Sequence, residues 1–146
     1  MKFTCTIEIN KPFEKVAEVF QNNDYRKEWQ EGFVSCEHLL GTPGAKDAKS
    51  RIIFMAQKQE QELIETILKN DLPNEFSAFY EHKHMDNIMI SRFIPIAENK
   101  TRYETEIEYT TFKGLIMKIM VFFMKGMFKK QMENHNLQFK TFVESL

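Results

Sequence analysis

The chain has 146 residues, the length of one domain of ordinary size, and a chain that long buries about 70% of its unfolded surface without disulfides or metals. Twenty basic against 21 acidic residues leave a formal charge of −1, with 42% hydrophobic residues, five glycines and four prolines. That balance argues against electrostatic capture of nucleic acid, and the composition excludes the disordered and collagen-like classes.

At the N-terminus Phe3, Cys5, Ile7 and Ile9 alternate with Lys2, Thr4, Thr6 and Glu8, the period of two of a half-buried antiparallel strand. The segment lacks the apolar core of a signal peptide, so export is not expected. Asn10 suits a helix cap and Pro12 a first turn, and Phe13, Val16, Ala17 and Phe20 then recur at helical spacing. Asn22, Asn23 and Asp24 break that helix and start a second over 24–29, whose tryptophan, Trp29, is expected to plug one end of the core. Six strands are predicted next, over 33–40, 49–57, 62–69, 76–84, 88–96 and 102–111. Turn chemistry at 41–44, 70–74, 86–87 and 98–100 separates them in the manner of a meander. In the last strand Tyr103, Thr105, Ile107 and Tyr109 face one way and Arg102, Glu104, Glu106 and Glu108 the other, so its second face is solvated.

Beyond Gly114 no proline or turn cluster interrupts the chain, and Met117, Val121, Met124, Phe128, Met132, His135, Phe139, Phe142 and Leu146 advance by three and four. This spacing predicts one long helix over 114–145. Leu115, Ile116, Ile119, Met120, Phe122, Phe123 and Met127 make its first half apolar on more than one side, which packing on a single sheet face does not require. Lys118, Lys125 and Gly126 interrupt that stretch, so it falls short of a membrane span.

The order is strand, two short helices, six strands and a long helix. It resembles the START-like helix-grip fold of the SRPBCC superfamily, whose members include lipid-transfer, pollen-allergen-like and polyketide cyclase-like proteins. The resemblance rests on residues 9–20 at the first strand-to-helix junction, on Trp29, on the glycine-rich run Gly41, Thr42, Pro43, Gly44, and on Leu72 and Pro73 before the fifth strand. It covers essentially the whole chain and implies an α+β domain over 1–146, a seven-stranded curved antiparallel sheet wrapped around the C-terminal helix. It also implies a cavity between sheet and helix that takes a hydrophobic ligand. Five of the nine methionines, at 117, 120, 124, 127 and 132, lie on the helix, and methionine adapts to irregular gaps and variable ligand shapes.

The residues expected to line that cavity and bind its ligand are Ile7, Cys36, His38, Tyr80, Arg92, Ile107 and Tyr109 from the sheet and Met117, Met120, Val121, Met124, Phe128, Met132 and His135 from the helix. His38 and His135 are the candidates for proton transfer, each weighed against a histidine at the core edge. Tyr80, His82 and His84 share a predicted strand face, but no third ligand stands near, and neither a metal nor another cofactor is expected. Arg51 and Arg92 lie in otherwise apolar strands, where a guanidinium either anchors an anionic head group or sits on the outer face. Cys5 and Cys36, outside any CxxC pair, suggest inert core thiols and a reducing, cytoplasmic setting.

The sequence has no nucleophile elbow, phosphate loop, dinucleotide fingerprint or zinc-ligand spacing. Three functional expectations follow. The first is non-catalytic binding or transport of a lipid, isoprenoid or polyketide-like molecule. The second is an enzyme of polyketide cyclase or dehydratase type. The third rests on five lysines, at 113, 118, 125, 129 and 130, in a segment without an acidic residue, which suits peripheral contact with a membrane surface or with a partner, a second copy of the chain included.

Overall fold

The alternating N-terminal segment forms an edge strand, and its periodicity sets the faces of the sheet it joins. The computed structural model describes residues 1–146. In chain order it contains β1 (Lys2–Ile9), α1 (Phe13–Gln21), a 3₁₀ turn (Asn23–Tyr25), α2 (Arg26–Trp29), β2 (Phe33–Leu40) and β3 (Lys49–Ala56). There follow β4 (Gln59–Asp71), β5 (Glu75–Glu81), β6 (Met85–Ala97), β7 (Lys100–Phe112) and α3 (Leu115–Glu144). The strands make one seven-stranded sheet in the order β1-β7-β6-β5-β4-β3-β2, and every neighbouring pair is antiparallel. This is the helix-grip arrangement that the sequence order implies.

Register carries the concave face across the sheet. Phe3 pairs with Ile107, Ile107 with Met89, Met89 with Ala78 and Ala78 with Ile67. Register shifts between Phe33 and Ser35, His38 and Leu40, and Ile67 and Lys69 interrupt the ladders of β2 and β4; such bulges bend strands and let a sheet curve. Gly114, at φ 89°, turns the chain from β7 into α3, a conformation that glycine adopts without a Cβ clash. At Gly32, between α2 and β2, a Cβ would collide with the Met55 backbone, whose N–H donates to the Gly32 carbonyl at 2.7 Å.

The core occupies one end of the concavity. Ile9, Val16, Ala17, Val19, Trp29, Phe93, Tyr103, Phe139 and Val143 are buried there together. Phe20 sits among the rings of Trp29, Phe76, Phe93 and Phe139 at centroid distances of 5.2 to 6.2 Å, which fits edge and offset packing. Trp29 thus plugs the core as expected, 4.6 Å from the Phe139 ring.

Several local expectations are corrected. Pro12, not Asn10, stands before α1, and the Asn10 N–H donates instead to Glu144 Oε2 at 2.8 Å, tying β1 to the end of α3. The second helix is divided into the 3₁₀ turn and the four residues of α2; Asn22 Oδ1 caps the turn by accepting from Asp24 N–H. Asp86 and Asn87 do not form a turn but lie inside β6, and the reversal falls at 82–84. Asp86 is drawn into the sheet because its carboxylate holds Lys113 Nζ at 2.8 Å.

Candidate ligand-binding site

Sheet and α3 bound a concave space that the aromatic core closes at only one end. Helical periodicity turns Met117, Val121, Met124, Phe128, Met132 and His135 toward one side of α3; Val121 and Phe128 are buried and the other four half-buried. Across from them Tyr109 lies 5.0 Å from the Phe128 ring and 6.3 Å from Phe3. Ile107 is buried, and Ile7 is half-buried beside the core. The helix runs nearest β1, so β2 and β3 form the far wall, where Cys36 pairs with the buried Ile52.

Polar groups gather toward the core end. Tyr80 donates its phenol to Glu65 Oε2 at 2.8 Å. Burial pushes that phenol well above its usual range, the Glu65 charge adds to the shift and Arg26 opposes it. The same Arg26 lies 5.2 Å over the Phe33 ring and donates to Gln30. His135 sits 5.2 Å from the Trp29 ring; burial, with a smaller contribution from the Arg26 charge, lowers its pKa to about 4. Its imidazole is therefore neutral at physiological pH. Next along α3, Asn136 donates to Thr105 Oγ1 at 2.8 Å, and Thr105 donates in turn to the Cys5 carbonyl at 3.5 Å. Burial also raises the phenols of Tyr103 and Tyr109, the latter to about 12. Glu65 and Asn136 escape a reading that weighs polar residues by type, though Glu65 lies in period-two alternation between Leu63 and Ile67 and Asn136 on the helical stripe.

Other candidates fall elsewhere. Arg92 is on the convex face, where it donates to Glu75, Glu104 and Glu106 at 2.9 to 3.1 Å. Register places it there, because Arg92 pairs with Glu104 on the solvated side of β7. Arg51 is convex as well, between Glu37 and Glu62. His38 has the concave parity but lies exposed on edge strand β2, its Nε2 2.6 Å from the Gly41 carbonyl and so its donor. Met120 is 43% exposed and stands about 100° around α3 from the buried Val121. His82 and His84 share no strand face. His84 N–H donates to His82 Nδ1 at 3.1 Å and His82 Nε2 to Gln61 of β4 at 3.0 Å, so both ring nitrogens of His82 are engaged. Burial lowers the pKa of His82, and the charges of His84, Lys83 and Lys113 add to this. The Cys5 thiol is raised chiefly by burial, which disfavours the thiolate and suits an inert core residue.

The end opposite the core is open. A hollow of about 670 Å³ is lined by His84, Lys113, Gly114, Leu115, Ile116, Met117 and Met120. Beyond Lys113 a second hollow, of about 410 Å³, carries Glu60, Glu62, Glu81, His82 and Lys83. Met117 belongs both to the first hollow and to the concave side of α3, so the hollow adjoins the apolar wall. The arrangement offers an apolar trough with hydrogen-bonding groups toward its core end, which suits a molecule with one polar terminus.

No protein-family model and no curated protein matches the sequence. Solved structures do match in fold. A START superfamily protein from Mycobacterium smegmatis superposes with a TM-score of 0.81 at 14% identity, over 99% of this chain and 97% of that one. TTHA0849 from Thermus thermophilus gives 0.78 at 16%, over 99% and 98%. The di-domain ARO/CYC StfQ of the steffimycin biosynthetic pathway gives 0.75 at 10%, over 97% of this chain and 45% of that one. Identities this low carry the fold and not the ligand or the chemistry.

Proposed function

From the START-like helix-grip fold of this chain we propose that it binds a small hydrophobic or amphipathic molecule, of lipid, isoprenoid or polyketide-like class, between α3 and the concave face of its sheet. The observation that carries this reading is the wall formed by Met117, Val121, Met124, Phe128 and Met132 opposite Ile107 and Tyr109, open at one end. Methionine side chains re-pack around differently shaped ligands at low strain. The Tyr80–Glu65 pair and His135 supply hydrogen bonds for a polar end of the ligand.

A carrier fits this site better than an acid-base enzyme. Proton transfer is most efficient when the group's pKa lies near the working pH, and an imidazole held at about 4 is a weak base and lacks the acidic imidazolium proton near neutrality. The cyclase or dehydratase reading draws on one observation, the interior Tyr80–Glu65 hydrogen bond. His135→Leu separates the two. In a carrier, displacement of a fluorescent apolar probe stays unchanged or tightens, because an uncharged polar group has been removed from an apolar wall. In an enzyme that uses His135, analogue binding is retained while turnover falls about a hundredfold or more. Native mass spectrometry of the purified protein supplies the ligand class for both assays; a bound mass corresponding to a strongly polar, multiply charged molecule would contradict the reading.

A further inference from the structure

The N-terminal half of α3 turns a second apolar face away from the sheet. At about 100° per residue, Leu115, Ile116, Ile119, Met120, Phe122, Phe123 and Met127 fall on an arc of about 160° opposite the buried Val121. Leu115, Ile116, Phe122 and Phe123 are 70% to 80% exposed, and a contiguous apolar face of this kind marks an interaction site. Lys118, Lys125 and Lys129 run along one flank of the arc and Lys130 stands near its C-terminal end, all four exposed. Lys125 Nζ lies 5.6 Å from the Phe122 ring. No acidic residue occurs between Glu108 and Glu133.

We propose that this face docks on an anionic lipid surface, with the apolar arc in the headgroup–acyl boundary and the lysines on phosphate. Charge complementarity favours that occupant over a second copy. A two-fold contact through this helix would bring the same cations together without one carboxylate from the segment to pair them, whereas anionic headgroups neutralise each lysine and the flexible stems let the ammonium groups reach them. The helix is not long and apolar enough to cross a membrane, so it lies along the surface. The carboxylate nearest its start, Asp86, is already paired with Lys113, and Glu60, Glu62 and Glu81 line the hollow beyond it, which orients the docking edge along the helix rather than over those carboxylates.

Leu115, Ile116 and Met120 belong to both this face and the 670 Å³ hollow. A bilayer under the helix therefore meets the open end of the trough. That consequence rests on the ligand reading; docking itself does not.

Co-sedimentation of the full chain with vesicles of pure phosphatidylcholine, and of equal parts phosphatidylcholine and phosphatidylglycerol, tests the docking. Binding is expected only to the mixed vesicles at low salt, with release as salt rises. The triple variant Lys118→Gln, Lys125→Gln, Lys129→Gln should bind about a hundredfold more weakly, at roughly fivefold per lysine. Phe122→Ser with Phe123→Ser should abolish binding while the melting temperature is kept; if that pair does not fold, the glutamine variant decides alone. Equal binding to both vesicle types, or none to the mixed ones, overturns the proposal. So does a dimer in sedimentation velocity that the serine pair disperses without any vesicle binding, which would give the face to a second copy.

Discussion

Phe139 and Phe123 are both phenylalanines of α3, yet the first is fully buried and the second is 80% exposed. Around Phe139 stand the rings of Trp29, Tyr103 and Phe20, at 4.6 to 6.2 Å, and Asn136 and Val143 are buried on the same face. In the N-terminal half only Val121 and Phe128 are buried; Met117 and Met124 share their side half-buried, and the other large apolar groups look outward. One helix thus serves two purposes. Its C-terminal half is bound into the core and gives the fold its stability, while its N-terminal half bounds the open trough and presents the outer face.

Phe139→Ala gives the largest effect, a loss of about 3–5 kcal/mol by chemical denaturation, because it empties an aromatic core site. Phe123→Ala should change stability by no more than about 0.5 kcal/mol. Comparable losses at the two positions would break the division between the halves. Next comes the pH dependence of His135. Its pKa is about 4 in the folded chain against 6.5 unfolded, so between these values the unfolded state binds more protons and stability falls as pH drops from about 6.5 toward 4. The full loss is at most about 3 kcal/mol, and it levels off below pH 4. His82 is also lowered and acts with the same sign, so the measurement compares denaturation midpoints across pH for wild type, His135→Leu and His82→Gln. The larger flattening is expected from His135→Leu. Asn136→Ala follows, at about 1–3 kcal/mol, since it removes the Thr105 partner from a buried position.

The fold was legible wherever one periodicity ran unbroken. Both β1 and β7 alternate cleanly, and α3 steps by three and four from Met117 to Leu146, so the sheet's edge, its solvated face and the gripping helix follow from side-chain geometry alone. The site was less legible because the face of a residue depends on its partner strand. In β6, Ile88, Ile90, Arg92 and Ile94 share one parity and Met89, Ser91 and Phe93 the other, and both sets contain apolar residues. Only pairing with Glu104 and Glu106 of β7 fixes Arg92 as convex. The turn at 82–84 was hidden for a related reason: Asp86 and Asn87 favour turns locally, but the Lys113 ion pair and the β7 ladder hold them in the strand.

Gly126 sharpens the comparison with the smallest change. It stands on α3 with nothing within 4 Å of where a Cβ would go, and alanine in place of glycine inside an exposed helix is worth up to about 1 kcal/mol. The gain reaches global stability only if the N-terminal half of α3 melts together with the core. If that half opens on its own, Gly126→Ala leaves the denaturation midpoint in place and instead slows amide exchange locally, at 116–127 and not at 135–143. The structure favours the second outcome, since the C-terminal half carries the aromatic contacts and the N-terminal half buries only Val121 and Phe128. Exchange read peptide by peptide beside the denaturation curve distinguishes the two: a midpoint shift with uniform protection along α3 would show the halves to be one cooperative unit.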